Sequence, residues 1–138
     1  MISTRGRYAI RFMLDLAEQP EGTPVPLEET AQRQQISKKY LEIVVRLLVK
    51  AKLVKGSSGK GGGYRLLRSP EEYTVLEILT AAETTLAPVA CLCAGAEKCP
   101  RENICKTLPM WKKFDSTVHD FFRQITLADL LNGEIQSL

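Results

Sequence analysis

The chain has a single histidine, His119, and a single tryptophan in 138 residues. It shows no paired carboxylates at motif spacing and no nucleophile beside a candidate base. General acid–base and nucleophilic chemistry need such groups in concert, so an enzyme is not expected. No apolar run approaches the ~20 residues that a membrane span requires, and no membrane partner is expected. Residues 1–7 hold no apolar stretch ahead of a small-residue cleavage site. A secretory leader is therefore not expected, and the expected compartment is the cytoplasm. No two cysteines have the C-x-x-C spacing of a zinc ribbon or a dithiol redox site. Gly59-Lys60-Gly61 lacks a serine or threonine after the lysine, which excludes a nucleotide P-loop. Tyr64 stands where a dinucleotide fingerprint needs glycine.

What is present is an ordinary globular composition, 44% apolar and 25% charged, at the length of one domain. The net charge of +3 hides an asymmetry. Residues 1–68 carry 13 basic and 6 acidic side chains, whereas residues 69–138 carry 6 basic and 10 acidic. A basic half followed by an acidic half points to a polyanion partner for the first.

Apolar spacing predicts a helix over 8–18, closed by Pro20, Gly22, Pro24 and Pro26. A short helix over 27–34 follows, with Glu28 and Glu29 where the helix dipole favours acid. Ser37 is a good N-cap for a helix over 38–51 whose inner stripe is Leu41, Val44, Val45 and Leu48. Short strands over 53–55 and 64–67 flank a glycine-rich tip, which reads as a hairpin. Thr74 caps a helix to about Ala82. Residues 84–104 read as a loop. A long helix is expected from Cys105, with Trp111, Phe114, Val118, Phe121, Phe122 and Ile125 as an aromatic stripe. Thr126 caps a last helix over 127–131, stopped by Asn132-Gly133.

Helix, short helix, turn, helix, hairpin is the order of a winged helix-turn-helix. The expected fold is mainly α with a small β-hairpin wing, followed by a long helix. Its parts are a winged helix-turn-helix DNA-binding domain over 1–83, a cysteine-bearing loop over 84–104 and a segment of the long helix and a C-terminal helix over 105–138. A helix fits the major groove and presents its first residues to base edges. Here those are Ser37, Lys38, Lys39, Tyr40 and Glu42. Lysine meets phosphate or guanine, tyrosine a phosphate or a thymine methyl, and glutamate a cytosine amino group. Ser57, Ser58, Lys60 and the bare amide of Gly61 stand at the wing tip, and Ser3, Arg5 and Arg7 are candidates to clamp the backbone. Lys38-Lys39 alone is equally a solvated helix start; the combination of helix order, basic half and wing favours double-stranded DNA.

Cys93, Cys99 and Cys105 stand six residues apart twice over, and Cys91 lies two before the first. Wide spacing in a loop suits an iron–sulfur cluster better than a single ion; three free thiols are the plainer alternative. Cys91 reads first as a bystander, then as a fourth ligand or a resolving thiol. His119 reads as a surface histidine.

Several segments together resemble the IscR-type (Rrf-two) family of winged-helix iron–sulfur regulators. These are the start over 4–9, Val25-Pro26-Leu27, Ser37 with Tyr40-Leu41-Glu42, Gly61-Gly62-Gly63-Tyr64, the cysteine triplet, and Trp111 with the segment 124–130. The family includes the nitric-oxide sensor NsrR, the iron-responsive RirA and CymR, which lacks a cluster. The resemblance implies a homodimer on a palindromic operator, with the long helix of 105–138 as its dimerisation helix and 84–104 as the cluster-binding loop. It also implies repression as the expected direction, and affinity governed by a two-iron or four-iron cluster on Cys93, Cys99 and Cys105. The fourth ligand of some members falls on Leu108 and that of others near Arg7, and neither side chain ligates iron. Cys91, Glu102 or an exogenous thiol or water remain. The wing arginine of the family falls on Ser58, which shifts minor-groove contact towards Lys60. The alternative is a cluster-free regulator of the same fold, controlled by thiol oxidation or by a small-molecule or protein partner.

Overall fold

The computed structural model describes residues 1–135. In chain order these form α1 (Thr4–Ala17), α2 (Leu27–Gln34), α3 (Lys38–Lys50), β1 (Val54–Ser57) and β2 (Gly63–Leu66). Then come α4 (Val75–Ala82), α5 (Leu108–Arg123) and α6 (Leu127–Asn132), with 3-10 turns at Pro70–Glu72 and Ala90–Leu92. The architecture is mainly α with a two-stranded wing, as the pattern of the sequence requires.

Helix α1 is the hub: it packs on α2, α3, α4, α6 and β2. Periodicity starts it at residue 8, but it begins at Thr4. The reason is a cap, since Ser3 Oγ accepts from the Gly6 amide at 3.4 Å. Gly6 also lies so close to the end of α4 that a Cβ would overlap the Glu83 carboxylate. Phe12 and Met13 of α1 meet Leu41, Val44, Val45 and Leu48 of α3 in one fully buried core. Each such side chain contributes about 1.5–3 kcal/mol on burial.

The wing is antiparallel, with Val54 opposite Leu66 and Ser57 opposite Gly63. Its first strand starts one residue later than the apolar run, because Leu53 turns into the core. The proline-rich loop before α2 is more than a connector. Val25 and Tyr64 exchange backbone hydrogen bonds at 2.8 Å each way, which adds a third strand's contact to the wing. Gly63 allows this approach, since a Cβ there would overlap the Val25 carbonyl. Tyr73 anchors the wing base. Its buried hydroxyl donates to the Leu53 carbonyl at 2.6 Å and accepts from the Leu67 and Arg68 amides at 2.9 and 3.1 Å.

Two boundaries near the C-terminus differ from expectation. Helix α5 begins at Leu108 rather than Cys105, with Pro109 in its first turn, where a missing N–H costs nothing. Ile125 leaves the aromatic stripe and is buried against Val75 and Leu79. The Val75 amide donates to the Ile125 carbonyl at 2.8 Å and the Leu127 amide to the Tyr73 carbonyl at 3.0 Å. Leu127 sits fully buried in the main core, so α6 closes on α1.

Candidate DNA-reading surface and cysteine cavity

Ser37 caps α3, its Oγ accepting from the Tyr40 amide at 3.2 Å. Lys38, Lys39 and Glu42 then project to solvent from the first turns. Lys38 makes one exposed ion pair, 3.7 Å to Glu28, which is too weak to withhold it from a phosphate. Tyr40 is half-buried, edge-on to Tyr8 with ring centroids 5.4 Å apart, so only its rim faces outward. The same outer face carries Ile43 and Arg46, both exposed. Sequence reasoning missed them. Their spacing from Lys39 and Glu42 at i+4 was the available signal.

Ser57, Ser58, Lys60 and Gly61 are all exposed at the wing tip. Ser57 Oγ donates back to the Gly63 carbonyl at 3.5 Å, while Lys60 has no ion-pair partner among the described residues. The three N-terminal residues divide. The amide and hydroxyl of Ser3 both donate to Glu83 at 2.8 Å, and Arg5 donates to Thr84 at 3.1 Å. These two are committed to the junction between α4 and the cysteine segment. Arg7 is exposed.

A further group, absent from the sequence reading, sets how α2 and α3 sit on α1. Asp15 is fully buried. Its carboxylate accepts from Thr30 at 2.8 Å, from Arg33 at 3.0 and 2.8 Å, and from Gln34 at 3.1 Å. Burial alone would push this carboxyl up. The hydrogen bonds from Arg33, Gln34 and Thr30 and the charge of Arg33 more than reverse that and hold it below the usual carboxylate range. Arg11 reaches the Gln34 carbonyl and side chain from the same helix.

The cysteine segment is a run of tight turns. The Ala96 amide donates to the Cys93 carbonyl and the Glu102 amide to the Cys99 carbonyl, both at 3.0 Å. Cys93 and Cys99 thus each open a turn. All four cysteines are free thiols. Cys91, Cys99 and Cys105 line a cavity of about 290 Å³ together with Glu102, Leu108 and Lys112. Cys93 Sγ instead lies 3.9 Å from the Val89 carbonyl. The Thr107 hydroxyl, 3.4 Å from Cys105 Sγ, holds that thiol below its ordinary range, which favours thiolate. His119 is elsewhere, its Nδ1 2.8 Å from the Asp115 carbonyl on α5.

Among the described residues no three histidine, cysteine or acidic side chains converge on a point that one ion would occupy. The ligands of a cluster bind different irons and stand further apart. Three thiols around one cavity are a donor set of the chemistry that an iron–sulfur cluster takes.

A family model described as Rrf2, iron-dependent transcriptional regulator, matches residues 2–133. The chain is 37% identical over 133 residues to the HTH-type transcriptional regulator IscR of Sodalis glossinidius, a match covering 96% of this chain and 79% of that one. Among solved structures it is similar to CymR, the global cysteine regulator of B. subtilis, with TM-score 0.79 and 32% identity over 96% of this chain and 97% of that one. It is also similar to T. potens IscR, with TM-score 0.76 and 32% identity over 100% and 93%. With the helix order, the wing and the outward lysines of α3 already in place, the conclusion is that this chain belongs to the Rrf2 family and is a DNA-binding transcriptional regulator rather than an enzyme.

Proposed function

We propose that the chain acts in the cytoplasm as a homodimer on a palindromic operator, and that an iron–sulfur cluster on Cys93, Cys99 and Cys105 sets its affinity. The observation that carries the cluster is the cavity at the foot of α5, which Cys99 and Cys105 line together with Cys91, two residues before Cys93; Cys93 itself stands just outside the lining. The dimer is supported by α5 itself, which has no buried residue and leaves Met110, Phe114 and Phe121 exposed. Two reading heads related by a twofold axis meet half-sites about one helical turn apart, ~34 Å.

Lys38, Lys39 and Glu42 enter the major groove behind the Ser37 cap, with the rim of Tyr40 at its edge. Ser57, Ser58, Lys60 and the Gly61 amide meet the backbone or the adjacent minor groove, and Arg7 a phosphate. Ser3 and Arg5 act indirectly, by fixing the end of α4. A bound cluster would supply cross-links among turns that otherwise close only through local hydrogen bonds. Those turns join α4, whose end Ser3 and Arg5 hold, to α5 and the second subunit. Their order therefore biases how the two heads are spaced. Repression follows where the operator overlaps a promoter.

The test is an anaerobic absorption spectrum with iron and sulfide counts per chain, followed by operator binding with and without the cluster. Two or four irons with matching sulfide and a change in affinity on cluster loss are expected. Protein without iron that was never exposed to air overturns the cluster. It would leave the thiol-switched regulator, which the free thiols of Cys91, Cys99 and Cys105 around one cavity support.

A further inference from the structure

The proposed cluster has three evident cysteines and lacks a fourth protein ligand. Leu108, three residues beyond the last cysteine, forms part of the cavity wall but offers only hydrocarbon. Arg7, the other position implied by the family resemblance, carries a cation. Three further side chains able to ligate line the cavity besides Cys99 and Cys105, namely Cys91, Glu97 and Glu102.

We propose that Cys91 completes the set, so that the cluster is held by four thiolates from this one segment. Three observations converge on it. Cys91 lines the same cavity as Cys99 and Cys105. It sits in the Ala90–Leu92 turn, directly before Cys93, so the two thiols are delivered by one short stretch of backbone. Neither is committed elsewhere, since Cys91 is exposed and Cys93 makes only a long S–H contact to the Val89 carbonyl. Glu97 and Glu102 are weaker candidates, because a soft iron–sulfur centre favours thiolate over carboxylate, and the Glu102 carboxylate is also paired with Lys98 at 3.9 Å. A four-thiolate cluster is net anionic, and Lys98 and Lys112 on the cavity wall oppose that charge.

This inference rests on the cluster reading, and the experiment separates the two. Wild type, Cys91→Ala, Cys91→Ser and Glu102→Gln are loaded anaerobically. Iron and sulfide, visible circular dichroism, electron paramagnetic resonance of the reduced form and the rate of iron release to a chelator are then compared. Second-sphere losses already weaken metal sites by about 10–100-fold, so loss of a ligand in Cys91→Ala should speed iron release by about tenfold or more. It should also shift the resonance and raise the reduction potential, because an anionic ligand is gone. Cys91→Ser should fall between, with charge-transfer bands moved to the blue, and Glu102→Gln should match wild type. Far-ultraviolet dichroism of the iron-free proteins should be unchanged, as Cys91 supports no core. A Cys91→Ala protein with wild-type spectrum and release rate overturns the proposal while leaving the cluster in place. A shifted Glu102→Gln beside an unshifted Cys91→Ala transfers the role to Glu102. Iron-free wild type overturns the cluster reading and this proposal with it.

Discussion

Helices α1 and α5 have nearly the same length, 14 and 16 residues, and both carry an apolar stripe, yet they meet opposite fates. Six residues of α1 are buried, among them Phe12, Met13 and Leu16. None of α5 is, although it offers Met110, Trp111, Phe114, Val118, Phe121 and Phe122. The difference lies in their neighbours. Helix α1 is wrapped by α2, α3, α4 and α6, whereas α5 touches chiefly α4. The head is a finished core that presents charge outward; the α5 arm is an unfinished one. A periodic stripe says that a face needs cover, and only the packing says whether the chain itself supplies it.

The contrast predicts that damage to the head's outer face and damage to the arm have separable consequences. The largest effect is expected from Lys38→Ala with Lys39→Ala. Each lysine that meets a base edge contributes about 1–3 kcal/mol, and each phosphate contact adds ~0.9 to the salt slope. Operator affinity should therefore fall roughly 100-fold or more, with a flatter dependence on log salt in fluorescence anisotropy. The melting temperature should stay put, because both side chains are exposed. A lost fold in that variant would mean that α3 does not present these residues.

Next comes the arm. Phe114→Glu with Phe121→Glu should turn a dimer into a monomer in sedimentation velocity, with an undiminished unfolding midpoint for the head. Persistence of the dimer would place the interface elsewhere.

Within the head, Asp15→Ala removes the acceptor for Thr30, Arg33 and Gln34. Arg33 is partly solvated, so the expected loss is about 2–3 kcal/mol in urea unfolding at neutral pH. The sign of its pH dependence follows from a depressed folded-state pKa. The stabilisation is complete above the ordinary carboxyl range, near ~4, and is lost as pH falls through the folded value. Wild type and variant should therefore converge in acid. The smallest effect is that of Tyr73→Phe, which strands the Leu53 carbonyl and two amides at the wing base. About 1–2 kcal/mol is expected, with operator affinity reduced only as far as the wing loosens.

The order of elements was legible because it rests on local chemistry. Ser37, Thr74 and Thr126 are caps, the α3 stripe repeats at helical spacing, and the run 56–63 is too rich in glycine for a helix. Family membership was legible for the same reason, since its motifs are short and contiguous. The α1 start was not, because Ser3 and Gly6 carry no apolar signal, and the lack of a side chain at Gly6 matters for the closeness of Leu79 and Glu83, the latter 77 positions away.

What the sequence determined by itself was the set of helices, the hairpin, the basic half and the presence of thiols in one segment. Each of these depends on residues within a few positions of one another. The tertiary structure alone decided what those parts face. It joined Val25 to the wing, buried Asp15 under Arg33 and committed Ser3 and Arg5 to the end of α4. It also turned Cys91 rather than Cys93 towards the cavity and left α5 uncovered. Such outcomes depend on contacts between distant positions. The number of these grows with the whole chain, and no local pattern encodes which of them the packed core selects.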